Sequence, residues 1–555
     1  MALQSHLELF YHFEKTQAKK VFLRQPYGNS WKTLTYAQAG DEARKMTSAL
    51  RGMGLEKGDH IGIYSKNCYH WILADLAIMM GGFVSVPFYA SLPEEQLAEV
   101  IKLSDIKLLF VGKLDAWGDR ANAVPDDVHI IRFPTYSGNA DVSEGLRWTE
   151  LIAMRKPVTD QHLPALDDIW TILFTSGTTG TPKGVMHSFR NPAEIIRIEK
   201  EEDFIGIFRH KDMKFLSFLP LNHVGERIGV ELNCFMSGGS ISFAESIDTF
   251  AANLQDTQPT LIFAVPRIWT KFYQGVISKM PASRLDLLLK LPIINGIIRT
   301  KIKTALGLGD AKIVATGAAI TPEYLKIWYA NLGIHLLEAY GMTEVCGCIA
   351  NSPSLKTPAD SVGQVVPQCE VKIDKETGEI LMKAPYQMLS YYKDEEKTAE
   401  VLKNGWIHSG DRGTIDENGF IRVIGRVSDA FKTSKGQFIT PNPIEEELAG
   451  HDYVEQVCIA GLGMPQPIAL VILSEVGAQK NKEEVLSSFK IELDRINSGL
   501  AGYQKISTII INKETWSESN NLLTPTMKIR RGAINDRYAN NFKNWHDANE
   551  HVIFE

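Results

Sequence analysis

The sequence predicts a large α/β protein that continues into a β-rich segment and ends in a smaller α+β unit. Three patterns support this fold class. Apolar strand patterns alternate with amphipathic helix patterns over about the first 130 residues and again between about 215 and 315. Short strands separated by turn signals follow residue 360, and a compact mixture of strands and helix follows Asp429. We therefore expect right-handed crossover units on a largely parallel sheet, then a β-subdomain and a C-terminal lid.

Single elements follow from periodicity and from helix end signals. Thr35 is the expected N-cap of a helix that ends near Gly54, and Asn442 is the expected N-cap of a helix in the C-terminal unit. Helices are predicted at 35–53, 68–80, 92–103 and 482–497. Strands are predicted at 60–64, 83–89, 106–111, 170–174, 215–219, 240–243, 261–265, 312–315, 370–373, 379–383, 420–424, 457–460 and 470–473.

Composition limits the class of protein before any motif is considered. The chain has 555 residues, 44% of them apolar and 23% charged, which excludes disordered, collagen-like and disulfide-scaffold proteins. Its 66 acidic residues exceed its 59 basic ones, giving a net charge of −7. A nucleic-acid partner is therefore not expected, because such proteins carry a basic excess.

Cysteine usage and apolar runs indicate the compartment. The six cysteines are scattered, which fits a reducing environment, and the Cys346–Cys348 pair lacks the spacing of a zinc site. The first 20 residues contain no uninterrupted apolar segment of the kind found in signal peptides. The longest apolar run, 76–89, is broken by glycines and a proline and is shorter than a membrane span requires. We expect a cytoplasmic protein.

The strongest local feature is an apolar strand, 170–174, that leads into the segment 175–184, TSGTTGTPKG. Small residues let backbone N–H groups approach anionic oxygens, and Lys183 adds a positive charge. The loop is not a Walker A motif, because the Gly-Lys-Ser/Thr spacing is missing. A polyphosphate site is thus predicted, with a flexible linker as the alternative.

This loop resembles the signature of the adenylate-forming superfamily, which includes the acyl-CoA synthetases, and further motifs in the same order extend the resemblance from about residue 30 to 532. The resemblance implies an adenylation body at 1–425, a hinge at 426–432 and a mobile lid at 433–555. It implies catalysis by Lys183 and metal binding by Thr175. It also assigns ATP binding to the loop residues Thr175, Ser176, Gly177, Thr178, Thr179 and Gly180.

The segment 219–227 resembles the second motif of the superfamily, and the resemblance places His223 near the acyl pocket as a catalytic residue. Taken alone, His223 is better explained as a hydrogen-bonded loop histidine, and its place after the phosphate loop is what favours the pocket position. The neighbouring Glu226 and Arg227 resemble the long-chain fatty acyl branch, although an ordinary salt bridge between them also explains the pair.

Two further motifs complete the expected nucleotide site. The segment 316–319 resembles the stretch that packs on adenine, with a strand-end turn as the alternative. In the segment 338–344, EAYGMTE, the resemblance implies that Tyr340 stacks on adenine, Thr343 contacts phosphate and Glu344 holds Mg²⁺. The residues assigned to the nucleotide or its metal are Gly317, Ala318, Glu338, Ala339, Tyr340, Thr343 and Glu344.

The segment 405–411 ends in Asp411, and the resemblance implies that this carboxylate accepts hydrogen bonds from both ribose hydroxyls. Arg426 corresponds to a second ribose contact at the start of the hinge. The pivot position two residues later is usually Lys or Asp in the superfamily, whereas this chain has Ser428. Which residue acts as the pivot therefore stays open, and Asp429 or Lys432 could share the role.

The last two motifs lie in the expected lid. The segment 432–437 resembles the loop that lines the pantetheine channel, which implies roles for Lys432, Lys435 and Gly436 in binding CoA. The segment 523–531 resembles the C-terminal motif of long-chain acyl-CoA synthetases, in which Lys528 is the catalytic lysine.

The resemblance implies ATP-dependent activation of a long-chain fatty acid to an acyl-adenylate and transfer to CoA, with ATP, Mg²⁺ and CoA bound. Two alternatives use the adenylate differently, either by passing the acyl group to a carrier protein or by cyclising a β-hydroxy acid. A regulatory protein that binds nucleotide without catalysis is disfavoured, because Lys183, Glu344 and Lys528 are all present. A P-loop kinase or ATPase is disfavoured by the loop spacing and would release ADP rather than AMP.

One segment, 287–308, mixes apolar residues with basic ones and has no acidic residue. This pattern is typical of a helix at a membrane surface, into which fatty acids partition. A body helix interrupted by Pro292 and Gly296 explains the same pattern. Peripheral membrane contact is thus one of two open interpretations.

Overall fold

The computed structural model describes residues 3–28, 30–176, 182–292, 294–524 and 528–555, and within these ranges it gives no side-chain surroundings for Ser176 and Ser283. The strands of the described residues form four sheets. Two large sheets build the N-terminal part, and two small sheets build the C-terminal part. The predicted fold class is confirmed.

The first large sheet holds the strand that leads into the predicted phosphate loop. Its seven strands pair in parallel, apart from the last two, which form an antiparallel hairpin around that loop. In sheet order the strands are Leu146–Arg147, His129–Arg132, Ile106–Gly112, His60–Ser65, Val84–Phe88, Ile169–Ser176 and Pro182–Ser188.

The second large sheet joins the expected α/β body and the expected β-rich segment without a break. Its parallel strands carry the predicted adenine segment, and its antiparallel strands carry Asp411 and Arg426. In sheet order they are Glu370–Ile373, Glu379–Lys383, Trp406–Ile415 (paired also with Leu402–Lys403), Phe420–Arg426, Gly363–Val365, Ala350–Asn351, Leu336–Tyr340, Ile313–Gly317, Leu261–Ala264, Lys214–Ser217, Ser240–Phe243, Val21–Tyr27 and Ser30–Thr35. The short strands predicted after residue 360 thus belong to the same sheet as the preceding parallel strands and differ from them in strand direction.

Helices cover these two sheets. Thr35 caps its helix as predicted, with its hydroxyl accepting a hydrogen bond from the backbone of Gln38. Every residue of Tyr69–Gly81 is buried, which explains the long apolar run without a membrane. The α-helices are His6–Thr16, Tyr36–Gly52, Tyr69–Gly81, Glu94–Ser104, Trp148–Met154, Arg190–Glu202, Val224–Glu226, Asn233–Ser237, Phe250–Thr257, Pro266–Ile277, Ala282–Leu289, Ile294–Ala305, Glu323–Asn331 and Glu395–Val401; Arg227–Leu232 is a π-helix, and Gly118–Ala123, Ile207–Arg209, Thr343–Val345 and Val427–Asp429 are 3-10 helices.

The C-terminal part is built on a four-stranded sheet whose two faces bury different helices. In the strand Val454–Ala460, Val457 and Ile459 pack in the cluster with Phe489, whereas Cys458 and Ala460 pack in the cluster with Tyr538. This alternation is what a strand covered on both faces requires. The strands are Val454–Ala460, Ile468–Leu473, Ile509–Ile511 and Val552–Phe554, with a small hairpin of Phe431–Lys432 and Phe438–Ile439; the helices are Pro441–Ala449, Glu475–Ala478, Lys482–Ser498 and Arg531–Asp547.

One predicted helix start is wrong. The helix begins at Pro441 with Thr440 as its N-cap, and Asn442 lies inside its first turn. Proline is favoured in the first turn of a helix because its fixed φ is helical. N–H groups of the first turn have no acceptor within the helix, so the N–H that proline lacks removes no hydrogen bond. Pro441 therefore starts the helix before Asn442 can cap it.

Candidate active site

The predicted phosphate loop joins two antiparallel strands at the edge of the seven-stranded sheet. Thr175 stands opposite Lys183 in the register, and its hydroxyl donates a hydrogen bond to the Lys183 carbonyl oxygen over 3.5 Å. The hairpin thus brings the lysine back beside the residue that opens the loop. Of the other loop residues, Ser176 is described only by its backbone, and Gly177, Thr178, Thr179 and Gly180 lie outside the described residues.

The Lys183 side chain is half-buried, with its Nζ 6.0 Å from the centre of the Tyr391 ring. Burial and the nearby positive charge of Lys397 lower the pKa of Lys183, and the carboxylate of Glu344 opposes this shift. A polyphosphate would be attracted by these two lysines. No role was predicted for Lys397, although it lies in a segment, 391–398, that resembles the superfamily.

Glu344 lies in the 3-10 helix Thr343–Val345 and is buried. Its Oε1 accepts a hydrogen bond of 2.6 Å from the Tyr391 hydroxyl. The carbonyl oxygen of Thr343 accepts a 2.8 Å hydrogen bond from Nε2 of His187, a buried histidine whose pKa burial lowers to about 4. Sequence reasoning missed Tyr391 and His187; Tyr391 opens a segment, 391–398, that resembles the superfamily, and this was the available signal.

The predicted adenine segment lies at the ends of two neighbouring parallel strands. Gly317 stands opposite Ala339 in the register, and Ala318 has a left-handed φ of 66°. A Cβ added at Gly317 would lie 2.6 Å from the Ala339 carbonyl oxygen, so the close approach of the strands requires glycine there. Gly317, Ala318 and Ala339 are thus brought together.

Glu338 serves the fold through its side chain. Its Oε1 accepts a hydrogen bond from the Thr321 backbone over 2.8 Å, and its Oε2 forms a 2.5 Å ion pair with Lys326. The carboxylate is buried, so both contacts offset the cost of burying its charge. The Glu338 side chain therefore joins Thr321 and Lys326 to the strand Leu336–Tyr340.

Tyr340 and Asp411 are joined directly. The Tyr340 hydroxyl donates a 2.8 Å hydrogen bond to Oδ2 of Asp411, and the Arg426 guanidinium lies 3.0 Å from Oδ1. Arg426 is held in place by a second hydrogen bond, to the carbonyl oxygen of Ser409 at 2.9 Å. Burial raises the pKa of Asp411, while Arg426 and the tyrosine hydroxyl favour the ionised form. An ionised carboxylate has spare acceptor sites for ligand hydroxyls.

Lys528 comes from the C-terminal part, and its charge interacts with those of Arg426 and Asp411. Burial and the positive charge of Arg426 together lower the pKa of Lys528 to about 8, while the carboxylate of Asp411 opposes this shift. Burial, together with the charge of Lys528, lowers the pKa of His223 to about 4, so the imidazole is neutral at pH 7. Its Nδ1 accepts a hydrogen bond from the Gly225 backbone over 3.0 Å. Lys528 is therefore within electrostatic range of His223, Asp411 and Arg426.

Lys432, Lys435 and Gly436 are not brought to this site. All three are exposed on the small hairpin of the C-terminal part, and Lys432 Nζ stacks 5.0 Å above the ring of Phe438. Gly436 has a φ of 77°, and a Cβ there would meet no atom within 4 Å. The loop is thus open on its outer side.

Glu226 and Arg227 do not form a salt bridge with each other, contrary to one of the two interpretations of that pair. Glu226 accepts a 2.7 Å hydrogen bond from Ser217, and burial raises its pKa to about 8. Arg227 is fully buried and pairs with Asp75 at 2.6 Å and with Glu231 at 3.1 Å. Adjacent residues on a helix point in different directions, so their charges are satisfied by different partners.

A magnesium site built on one carboxylate is compatible with this geometry. Within the described residues, no group of three or more His, Cys, Asp or Glu side chains could hold a metal ion. Mg²⁺ bound to a nucleotide needs only one or two protein carboxylates, because phosphate oxygens and water complete its shell. Glu344, fixed by Tyr391, fits this requirement.

Polar contacts between the two parts of the chain accompany the position of Lys528. Arg267 Nη2 lies 2.8 Å from Oε1 of Glu455, and the hydroxyl of Tyr273 donates to Asp452 over 3.1 Å. Both contacts join the helix Pro266–Ile277 to the four-stranded sheet and the turn before it. They hold the C-terminal part against the body.

Profiles of two protein families match the chain. That of AMP-binding enzymes matches residues 10–392, and that of the AMP-binding enzyme C-terminal domain matches residues 428–550. The chain therefore belongs to the AMP-binding enzymes.

Two curated relatives are named as fatty acyl-CoA ligases or synthetases. The chain is 30% identical to fatty acyl-CoA synthetase B of Dictyostelium discoideum, over 92% of this chain and 84% of that protein. It is 25% identical to the long-chain-fatty-acid–CoA ligase FadD15 of Mycobacterium bovis, over 96% of each. Among solved structures, the A-PCP didomain of a carboxylic acid reductase from Segniliparus rugosus, in complex with AMP, superposes with a TM-score of 0.81 at 21% identity, covering 98% of this chain and 82% of that one. None of the helices described here is long and apolar enough to cross a bilayer.

Proposed function

We propose that this protein is an AMP-forming ligase that joins a long-chain fatty acid to CoA. The proposal is carried by Lys528, a lysine of the C-terminal part whose charge acts on Asp411, Arg426 and His223. A lysine at this position can offset the negative charges of the fatty acid carboxylate and the α-phosphate of ATP, which must come into contact. The relatives named as fatty acyl-CoA synthetases support the choice of acid and acceptor.

In the first step, a carboxylate oxygen attacks the α-phosphorus of ATP, the bond to the β-phosphate oxygen breaks, and pyrophosphate leaves. Tyr340, Gly317 and Ala318 would bind adenine, and Asp411 with Arg426 would bind the ribose. Lys528 would lie between carboxylate and α-phosphate, where a fixed charge in a water-poor site stabilises the transition state by roughly 3–4 kcal/mol. The product is acyl-AMP.

Glu344 and Thr175 are the residues that would hold Mg²⁺, and Thr343 and Lys183 would contact the phosphates beside it. When bound, the ion neutralises phosphate charge and so makes pyrophosphate a better leaving group. Tyr391 fixes the Glu344 carboxylate through its hydroxyl. The half-buried Lys183 would keep its positive charge beside the phosphates throughout this step, including the departure of pyrophosphate.

In the second step, the CoA thiolate attacks the acyl carbon, the bond between that carbon and the phosphate oxygen breaks, and AMP leaves. We propose that residues 1–425 form the body, that 426–432 are the hinge and that 433–555 move as a lid. The exposed loop with Lys432, Lys435 and Gly436 would then line the pantetheine channel after the lid has turned. Turning also withdraws Lys528, so each step has its own set of contacts.

Product analysis tests this function. The protein is incubated with Mg·ATP and saturated acids of graded length, with and without CoA. Acyl-CoA, AMP and pyrophosphate appearing together, most strongly with long acids, are expected. AMP release without consumption of CoA would move the acceptor to a carrier protein or to a hydroxyl of the acid itself. ADP, or no nucleotide turnover with any acid, would overturn the proposal.

Long-chain acids partition into bilayers, so the supply of substrate also concerns membranes. We propose that the protein meets its acid at a membrane surface by peripheral contact. The exposed character of segment 287–308 supports this, because its helix Ile294–Ala305 has no buried residue among those described.

A further inference from the structure

Two helices outside the active site, Ala282–Leu289 and Ile294–Ala305, form a hairpin with an exposed apolar tip. Leu287 is 62% exposed, Leu291 39%, Ile294 40% and Ile297 53%. These four side chains lie within eleven consecutive residues, on the connection between the helices and on the turns beside it. Exposed apolar residues clustered in this way indicate a contact surface.

The other side of the hairpin is firmly attached. Leu285 is fully buried, and Ile302 packs against the core cluster under the second large sheet. Nε of Arg299 donates a 3.0 Å hydrogen bond to the Asn331 carbonyl oxygen, and Nζ of Lys303 donates one of 2.9 Å to that of Gly333. The apolar tip is therefore held outward by a hairpin whose inner side is already satisfied.

The hairpin is also strongly basic within an acidic protein. Residues 278–309 contain one acidic residue, Asp286, and six basic ones, which gives a net charge of +5 in a chain of net −7. Within the described ranges, no carboxylate is within ion-pair distance of four exposed basic side chains of this segment, and two basic residues make the carbonyl contacts above. The four are Lys279, Arg284, Lys290 and Lys301.

We infer that the hairpin 282–305 docks on an anionic phospholipid surface, with the aliphatic tip among the acyl chains and the lysines and arginines against the headgroups. The inference deepens the proposed function, in which the acid is met at a membrane. Charge complementarity carries it, since anionic lipids attract unpaired basic side chains and aliphatic tips enter the interface. A protein partner is disfavoured, because the tip consists of leucine and isoleucine without the aromatic anchors that dominate protein interfaces.

Vesicle co-sedimentation of the full chain tests the inference. Wild type is expected to bind vesicles of phosphatidylcholine with one third phosphatidylglycerol, but not pure phosphatidylcholine, and to bind much less at about 1 M than at about 0.1 M salt. The variant L291S/I294S/I297S should lose at least about tenfold in affinity, because three aliphatic insertions are removed. Lys290→Gln and Lys301→Gln should each lose about fivefold.

Matched controls come from the C-terminal part. Ile491, 69% exposed, lies on the helix Lys482–Ser498, and Lys513 is exposed without a described ion pair. Ile491→Ser and Lys513→Gln should leave vesicle binding unchanged. Failure of wild type to bind anionic vesicles, or equal losses in the hairpin and control variants, would overturn the inference, as would capture of the hairpin by another protein with no vesicle binding.

Activity measured alongside separates this inference from the proposed function. With a short acid dissolved in water, all these variants should form acyl-CoA at the wild-type rate, which also shows that they fold. Vesicle binding without acyl-CoA formation would sink the ligase assignment and leave the docking surface standing. Acyl-CoA formation without vesicle binding would overturn the docking surface and leave the ligase assignment standing.

Discussion

The hydroxyl of Tyr391 donates a 2.6 Å hydrogen bond to Oε1 of Glu344. The centre of the same ring lies 6.0 Å from Nζ of Lys183, and Lys183 belongs to the strand that follows the phosphate loop. Tyr391 thus connects the carboxylate proposed to hold Mg²⁺ with the lysine proposed to hold phosphate. The hydrogen bond from Tyr391 also orients the Glu344 carboxylate.

Tyr391→Phe should weaken the binding of Mg²⁺ with ATP by roughly tenfold, since removing a partner that orients a metal ligand typically costs this much. Calorimetry of ATP binding at varied Mg²⁺ measures the change without turnover. Tyr392→Phe is the matched control, because its hydroxyl bonds Asp105 at 2.6 Å instead. Equal Mg²⁺ requirements in the two variants would contradict the role of Tyr391.

Asp411→Ala should raise the KM for ATP and remove discrimination against deoxynucleotides. A site that hydrogen-bonds a hydroxyl rejects analogues without it, because its buried polar groups are then left unpaired. We expect wild type to prefer ATP over 2′-deoxy-ATP and 3′-deoxy-ATP, and the variant to accept all three similarly. Competition assays check this, and a preference unchanged in the variant would remove Asp411 from the ribose site.

Much of this site was predictable because its residues lie in short ordered motifs at strand ends. Gly317 and Tyr340 end neighbouring strands, and the order of parallel strands brings such ends together. The local elements were also predictable, because the signals that start and end them lie close together in the sequence. The Thr35 cap, for example, involves only residues 35–38.

The unpredicted features depend on contacts between segments far apart in sequence. His187 bonds the backbone of Thr343 from 156 residues away. Arg227 finds Asp75 rather than its neighbour Glu226. No periodicity or motif encodes these partners, because they arise only when sheets and helices are packed.

The first step should lose activity at alkaline pH. Burial and Arg426 lower the pKa of Lys528 from 10.5 to about 8, so its charge is present below pH 8 and is lost as the pH rises through that value. The rate of acyl-AMP formation at low ATP should follow this loss. In Lys528→Arg the alkaline decline should vanish, because guanidinium stays charged. An unchanged decline in that variant would assign it to another group.

The ion pair between Arg267 and Glu455 should favour the arrangement in which Lys528 is in the site. Glu455→Gln is expected to slow acyl-AMP formation about fivefold, which corresponds to about 1 kcal/mol for a half-buried pair, while thioester formation from supplied acyl-AMP keeps its rate. Glu447→Gln serves as the control, since Glu447 pairs with Arg495 at 2.9 Å within the C-terminal part. Equal slowing of both half-reactions by Glu455→Gln would show a general loss of structure instead.

We propose that Lys528 promotes adenylate formation and leaves the site before thioester formation. Lys528→Ala, compared with Lys513→Ala, tests it in two single-turnover assays, one starting from acid and ATP and the other from supplied acyl-AMP and CoA. We predict that Lys528→Ala slows the first reaction by about a hundredfold or more and leaves the second near wild type. Equal slowing of both reactions, or no slowing of the first, would rule out this role of Lys528.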